Sequence, residues 1–169
     1  EGDDPRPIET PDVGDLVITE FMANPTVISD PDGEWFEVRA LADFDLNGLE
    51  LGKNYPDAGT LIDSAQCLPV SAGTNLLFVR EADPELNGGL PVPDAVFTIA
   101  LNNSNSTIYV ASEMGLLDEV DYSSVADGAS TSLDPDFIDP SDNDDPGNFC
   151  TADTPYGDET NLGTPAEDN

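Results

Sequence analysis

The chain contains no histidine and only four basic residues, Arg6, Arg39, Lys53 and Arg80, among 169. The missing imidazole removes the usual general base near neutral pH, the Ser-His-Asp and Cys-His arrangements, and the commonest zinc ligand. Most hydrolase chemistry goes with it. The scarcity of base has a second consequence, because binding a phosphate backbone means releasing counterions with Lys and Arg. Four scattered bases cannot do that, so no nucleic-acid partner is expected, and an anionic membrane surface is disfavoured by the same Coulombic argument. No run of about 18 apolar residues occurs, so no transmembrane helix and no direct membrane insertion is expected. The residues present hold no signal peptide. Two cysteines, Cys67 and Cys150, are too few and too far apart for a zinc site, and no CxxC redox motif occurs.

What the chain has instead is acid: 36 carboxylates, 24 Asp and 12 Glu, for a net charge of -32. Hydrophobic residues make up 38%, enough for one core in a chain of single-domain length, roughly 100–200 residues. So many carboxylates suit a hard cation such as calcium, a basic partner, a saline medium or simple solubility. Residues 1–13, acidic and dotted with Pro5, Pro7 and Pro11, with only Ile8 to bury, read as a solvated spacer. The first residue is Glu1 rather than Met, which fits a processed or excised chain. A tether behind a cleaved export signal or lipid anchor is one source of such a spacer, and a domain linker is the other. Residues 14–133 read as the folded domain, and 134–169 as an acidic, loop-rich extension packed on it. A monomeric domain is expected.

Short apolar or alternating segments recur: Leu16 to Met22, Trp35 to Leu41, Leu46 to Leu51, Asn75 to Arg80, Ala95 to Leu101, Thr107 to Ala111 and Leu116 to Tyr122. Turn clusters separate them, among them Asn24-Pro25, Pro31-Asp32-Gly33, Asn87-Gly88-Gly89 and Asn102-Asn103-Ser104. No segment has a helical period. This pattern predicts an all-β fold, a sandwich or barrel. Phe97 to Leu101 and Thr107 to Ala111 are expected to form one hairpin, and Thr107 to Ala111 with Leu116 to Tyr122 a second, giving a three-stranded meander.

Strict alternation puts Leu16, Ile18, Glu20 and Met22 on one face of the first strand. A carboxylate among apolar residues needs donors, and the turn from Asn24 to Gly33 is the expected source. Glu20 and Glu37 are therefore read as structural carboxylates. The competing reading pairs Glu20 with Glu34 or Glu37 as the acids of a glycosidase, but the chain lacks the aromatic platform a sugar would need. After Tyr122 regularity fades, and Asp134 to Asp145 carries six aspartates with Pro135 and Pro140. Asp142-Asn143-Asp144-Asp145-Pro146-Gly147 with Asp153 echoes a calcium loop, having Asp at the first and third positions, Gly at the sixth and Asp at the twelfth. Pro146 stands where a fifth-position oxygen is wanted. Asp139, Asp142, Asp144, Asp145 and Asp153 are the candidate calcium ligands, and a solvated acidic loop is the alternative. The cysteines are either free, as in the cytosol, or bridged in an oxidising compartment. An even count behind a spacer-like start favours a Cys67–Cys150 disulfide.

The ordered motifs resemble a known family. GDLVITEFMANP at Gly14 to Pro25, DGEWFEV at Asp32 to Val38, DLNGLEL at Asp45 to Leu51, LPVSAGTNLLFVR at Leu68 to Arg80, FTIALNNSNSTIYV at Phe97 to Val110 and LLDEVDY at Leu116 to Tyr122 look like the bacterial lamin-tail domains. The ending, DGASTSLDP at Asp127 to Pro135, NDDPGNFC at Asn143 to Cys150 and NLGTPAEDN at Asn161 to Asn169, is similar to that family's C-terminal signature. The chain departs from the pattern at Arg39-Ala40-Leu41, where an Asn-containing turn is common, and at Ala166-Glu167, where a Gly is usual. The resemblance implies an immunoglobulin-like antiparallel β-sandwich without catalytic residues, on exported or surface-attached bacterial proteins. It implies a secreted, periplasmic or cell-surface module with a protein, cell-wall or matrix partner. Lamins use the same fold for protein and chromatin contacts, but a chain this poor in base would not carry the chromatin role. A calcium-stabilised adhesion domain and an acid-pair hydrolase are the alternatives from other classes.

Overall fold

The computed structural model describes residues 6–169. Among these residues the chain is all-β, with helix confined to one turn at Asp30–Gly33 (α1) and the 3-10 turns Pro135–Phe137 and Pro146–Asn148. The strands are β1 Leu16–Met22, β2 Trp35–Ala40, β3 Phe44–Asp45, β4 Glu50–Gly52, β5 Thr60–Leu61, β6 Pro69–Val70, β7 Asn75–Val79, β8 Ala95–Val96, β9 Ser106–Ser112, β10 Gly115–Tyr122, β11 Thr131–Leu133, β12 Phe149–Thr151, β13 Pro155–Tyr156 and β14 Asn161–Leu162. They form a six-stranded sheet in the order β12-β11-β1-β2-β7-β8, a four-stranded sheet in the order β10-β9-β4-β5, and the ribbons β13-β14 and β3-β6. All pairs are antiparallel except β7 with β8.

Ile18, Phe21, Phe36, Val38, Leu76 and Phe78 of the larger sheet share one core with Leu51, Ile108, Val110 and Val120 of the smaller. The opposite face of β1, β2 and β7 is buried as well. Met22, Trp35, Leu77 and Val79 form a second cluster there with Leu90, capped by Tyr156. Trp35 Nε1 donates to the Tyr156 hydroxyl at 3.0 Å, and the two rings meet edge to face with centroids 5.8 Å apart. Burial on both faces is why these strands read as apolar runs rather than clean alternations.

Three local expectations need correction. The register of β1 against β2 shifts between Ile18 and Glu20, and a bulge at that point exchanges the faces. Leu16 and Ile18 point into the main core, then Phe21 and Ala23 do, while Met22 joins the outer cluster. Glu20 thus shares its face with Met22 and not with Leu16 and Ile18. The hairpin between Phe97 to Leu101 and Thr107 to Ala111 does not form, so the expected three-stranded meander is reduced to the pair β9-β10. Only Ala95–Val96 is strand, paired in parallel with β7; Phe97 N–H then donates to Val79 O and Leu101 N–H to the Glu34 carboxylate at 2.8 Å. The segment crosses from one sheet to the other instead of folding back. The second hairpin, β9 with β10, does form.

The proposed spacer divides. Residues 1–5 lie outside the described residues, and from Arg6 the chain, though exposed through Thr10, is pinned to the domain. The Arg6 guanidinium grips Asp45 of β3 with both ends, at 2.6 and 2.7 Å, Glu9 N–H donates to the same carboxylate at 2.8 Å, and Pro11 is buried. Asp45 is itself buried, and this pair holds its pKa below the usual range. The cysteines are not bonded to each other. Along β12, Phe149 turns its ring towards Phe21, centroids 6.2 Å apart, so Cys150, the next residue, must face solvent. Cys67 sits beside the β3-β6 ribbon, its thiol 3.8 Å from Arg6 O. Chain spacing alone could not reveal that Cys150 faces out.

Candidate functional site

Glu20 and Glu37 stand opposite each other on adjacent strands β1 and β2, and both are buried. Glu20 is held by donors from distant parts of the chain. Its Oε1 accepts from the hydroxyls of Ser130 and Ser132, and its Oε2 accepts from the Thr164 hydroxyl at 2.7 Å; the Thr164 N–H lies 3.1 Å from Oε1. The turn from Asn24 to Gly33 supplies none of these, contrary to expectation. Glu37 accepts from the Thr19 hydroxyl at 2.9 Å and from Ala166 N–H at 2.7 Å. Burial, reinforced by the neighbouring Glu20, pushes Glu37 up to about 8, against the partial relief of those two donors.

The two carboxylates therefore fasten the segment from Thr164 to Asn169 across the outer face of β1 and β2. Asn169 completes the attachment by donating to Thr19 O and Leu133 O, each at 3.0 Å, and Asp168 pairs with Arg39 at 2.6 Å. Ala166 adopts a φ of 65°, the left-handed region that glycine enters freely and alanine at a cost of roughly 1–2 kcal/mol.

Glu34 is buried under a different load. One oxygen accepts from Arg80 at 2.9 Å and from Leu101 N–H, and the other has no partner among the described residues. Desolvation raises its pKa in spite of Arg80. The three acids that might have formed a catalytic pair are thus enclosed. The cavity beside Glu37, lined also by Thr19, Arg39 and Asp168, holds about 160 Å³, below the roughly 300–1,000 Å³ of ordinary ligand sites.

Asp118 and Asn143 form a third polar cluster, one the sequence reading missed. Asp118 Oδ2 accepts from Ile18 N–H at 2.6 Å and from Asn143 Nδ2 at 2.8 Å, and Asn143 Nδ2 also lies 3.2 Å from Ile18 O. β11 pairs with β1 only at Glu20 and Phe21, so these side chains serve Ile18 in place of a neighbouring strand. Desolvation pushes Asp118 up to about 7.

The same placement sends the residues of the calcium echo in different directions. Asn143 is drawn into the interior. Asp145 turns to its own backbone and accepts from Gly147 N–H at 2.9 Å, capping the turn that Pro146 begins. Asp139 accepts from the N–H and hydroxyl of Ser141, Asp142 gives its carbonyl to Asn148, and Asp144 and Asp153 are exposed. Among the described residues no three acidic or thiol groups converge as metal ligands do.

Compared with known proteins, the chain matches no family model and no curated protein sequence.

Proposed function

We propose that this chain is a non-catalytic module with an immunoglobulin-like β-sandwich, similar to the lamin-tail domains, serving as an interaction or structural domain of an exported or surface-attached bacterial protein. The observation that carries the reading is the use made of the carboxylates. Glu20 and Glu37, the acids best placed on adjacent strands to act together, are enclosed and committed to holding Thr164 and Ala166. A general acid must reach the bond it protonates and keep an oxygen free for it. The two-sheet packing around one core supports the sandwich, and the ordered motifs support the lamin-tail likeness. The likeness carries the location outside the cytoplasm.

The test is Glu20→Gln, which keeps the shape and removes the charge. The module reading expects no sugar released by the wild type from a panel of oligosaccharides and a melting temperature lowered by several degrees in the variant. Release of reducing ends by the wild type, lost in Glu20→Gln at unchanged melting temperature, would make the acid catalytic and overturn the reading.

A further inference from the structure

Among the described residues each main sheet ends on one side in a strand with a single neighbour, β10 in the smaller sheet and β12 in the larger. Beyond the clamp between Asp118 and Ile18, a groove of about 440 Å³ lies between Val120 to Tyr122 of β10 and Phe149 to Thr151 of β12. Its floor is the half-buried Phe149, backed by the buried rings of Phe21 and Tyr122, and its walls are largely polar. Phe21 packs on Tyr122 at 4.9 Å and on Phe149 at 6.2 Å between centroids, and Phe149 is only half-buried. Alternate residues of an edge strand turn their N–H and C=O groups away from their one partner, here towards the groove.

Charge decides what could fill it. No base lines the groove, Asp121 stands on its wall, and Glu119 precedes Asp121 on the same strand. The three arginines are each occupied, with Asp45, Asp168 and Glu34, and Lys53 donates to Asn102. A second copy pairing edge to edge would set Glu119 and Asp121 against the same residues in a molecule of charge -32. That pairing is repelled, while a cationic strand is drawn in.

We propose that this groove receives an extended, lysine- or arginine-bearing segment of a protein partner, added as a strand along the free edge of β10. Side chains of an added strand alternate between floor and solvent, so the segment it fits alternates apolar and basic residues. The apolar ones seat on Phe149, which the buried Phe21 and Tyr122 back, and the basic ones meet Asp121 and the surrounding acid. The inference rests on the interaction-module reading and gives that reading a surface and a partner class.

The probe is a short capped peptide of alternating Lys and Val, titrated into isotope-labelled protein and followed by amide chemical shifts. The largest shifts are expected at Val120 to Val125 and Phe149 to Thr151, with affinity falling as salt rises. In Cys67→Ser protein, the same peptide should slow alkylation of the exposed Cys150 thiol. Phe149→Ala should weaken binding about tenfold. Asp121→Lys, at an exposed position where folding is not at stake, should weaken it in the same direction. A peptide N-methylated at alternate residues keeps its charge and loses strand donors, and it should not bind. If that peptide binds as well as its parent, with shifts scattered over the acidic surface, attraction is charge alone and the groove proposal falls. Absence of binding by any peptide at low salt overturns it too. Failure of the module reading shows separately, as the Glu20-dependent sugar release described above.

Discussion

Glu37 and Asp118 set how this chain should respond to pH. Their carboxyls are raised from ordinary values of 4.5 and 3.8 to about 8 and about 7, mainly by burial. The folded state therefore holds protons that the unfolded state has already released, so stability is full below the unfolded values and is lost as pH rises through the folded ones. Urea unfolding at constant ionic strength should show stability falling between about pH 5 and 8, by an amount on the order of a few kcal/mol. Glu37→Gln, which has no proton to lose, should flatten that decline. A wild-type profile that stays level over this range would contradict the burial of Glu37. Part of this is legible in the sequence, since a Glu among apolar residues of a strand must find donors. Which donors is not legible, because Ser130 and Thr164 are 110 and 144 positions from Glu20.

Among the elements, the strands that carry continuous apolar runs were the readable ones. β1, β2, β7, β9 and β10 fall within a residue or two of their sequence signals because burial on one or both faces selects those residues. The hairpin expected from Phe97 to Leu101 looked equally good locally. It fails because a competing use of the segment, delivering Leu101 N–H to the buried Glu34, is a tertiary matter that no window of sequence contains. The bulge in β1 was hidden for the same reason. Next to it, where β11 no longer pairs with β1, the Asp118–Asn143 clamp supplies Ile18 with the bonds a neighbouring strand would have made. Asn143→Ala should cost about 1–3 kcal/mol, the penalty for buried polar groups stripped of a partner. It should appear as a lower urea midpoint at unchanged slope. A loss under about 0.5 kcal/mol, the range of ordinary surface substitutions, would remove the clamp from the account.

At the scale of the whole molecule, 36 acids against four bases leave a net charge of -32 and repulsion that only salt can screen. Sodium chloride should raise the melting temperature, most steeply at low concentration, where the Debye length is about 30 Å at 0.01 M. Calcium at matched ionic strength is expected to add nothing beyond screening, since the aspartates of the 139–153 segment face their own backbone or solvent. A further rise at millimolar calcium, abolished by Asp142→Asn with Asp144→Asn, would restore the metal site by linkage. The acidity was plain in the sequence, whereas its division between surface charge and internal fastening was not. That division is the centre of the account: Glu20 and Glu37 are fasteners that bind the end of the chain to its first two strands. Amide hydrogen exchange at Thr164 and Ala166 tests this most directly. Both amides should be protected alongside those of β1, and Glu37→Ala should release Ala166 selectively. Exchange of both at unstructured rates in the wild type would contradict it.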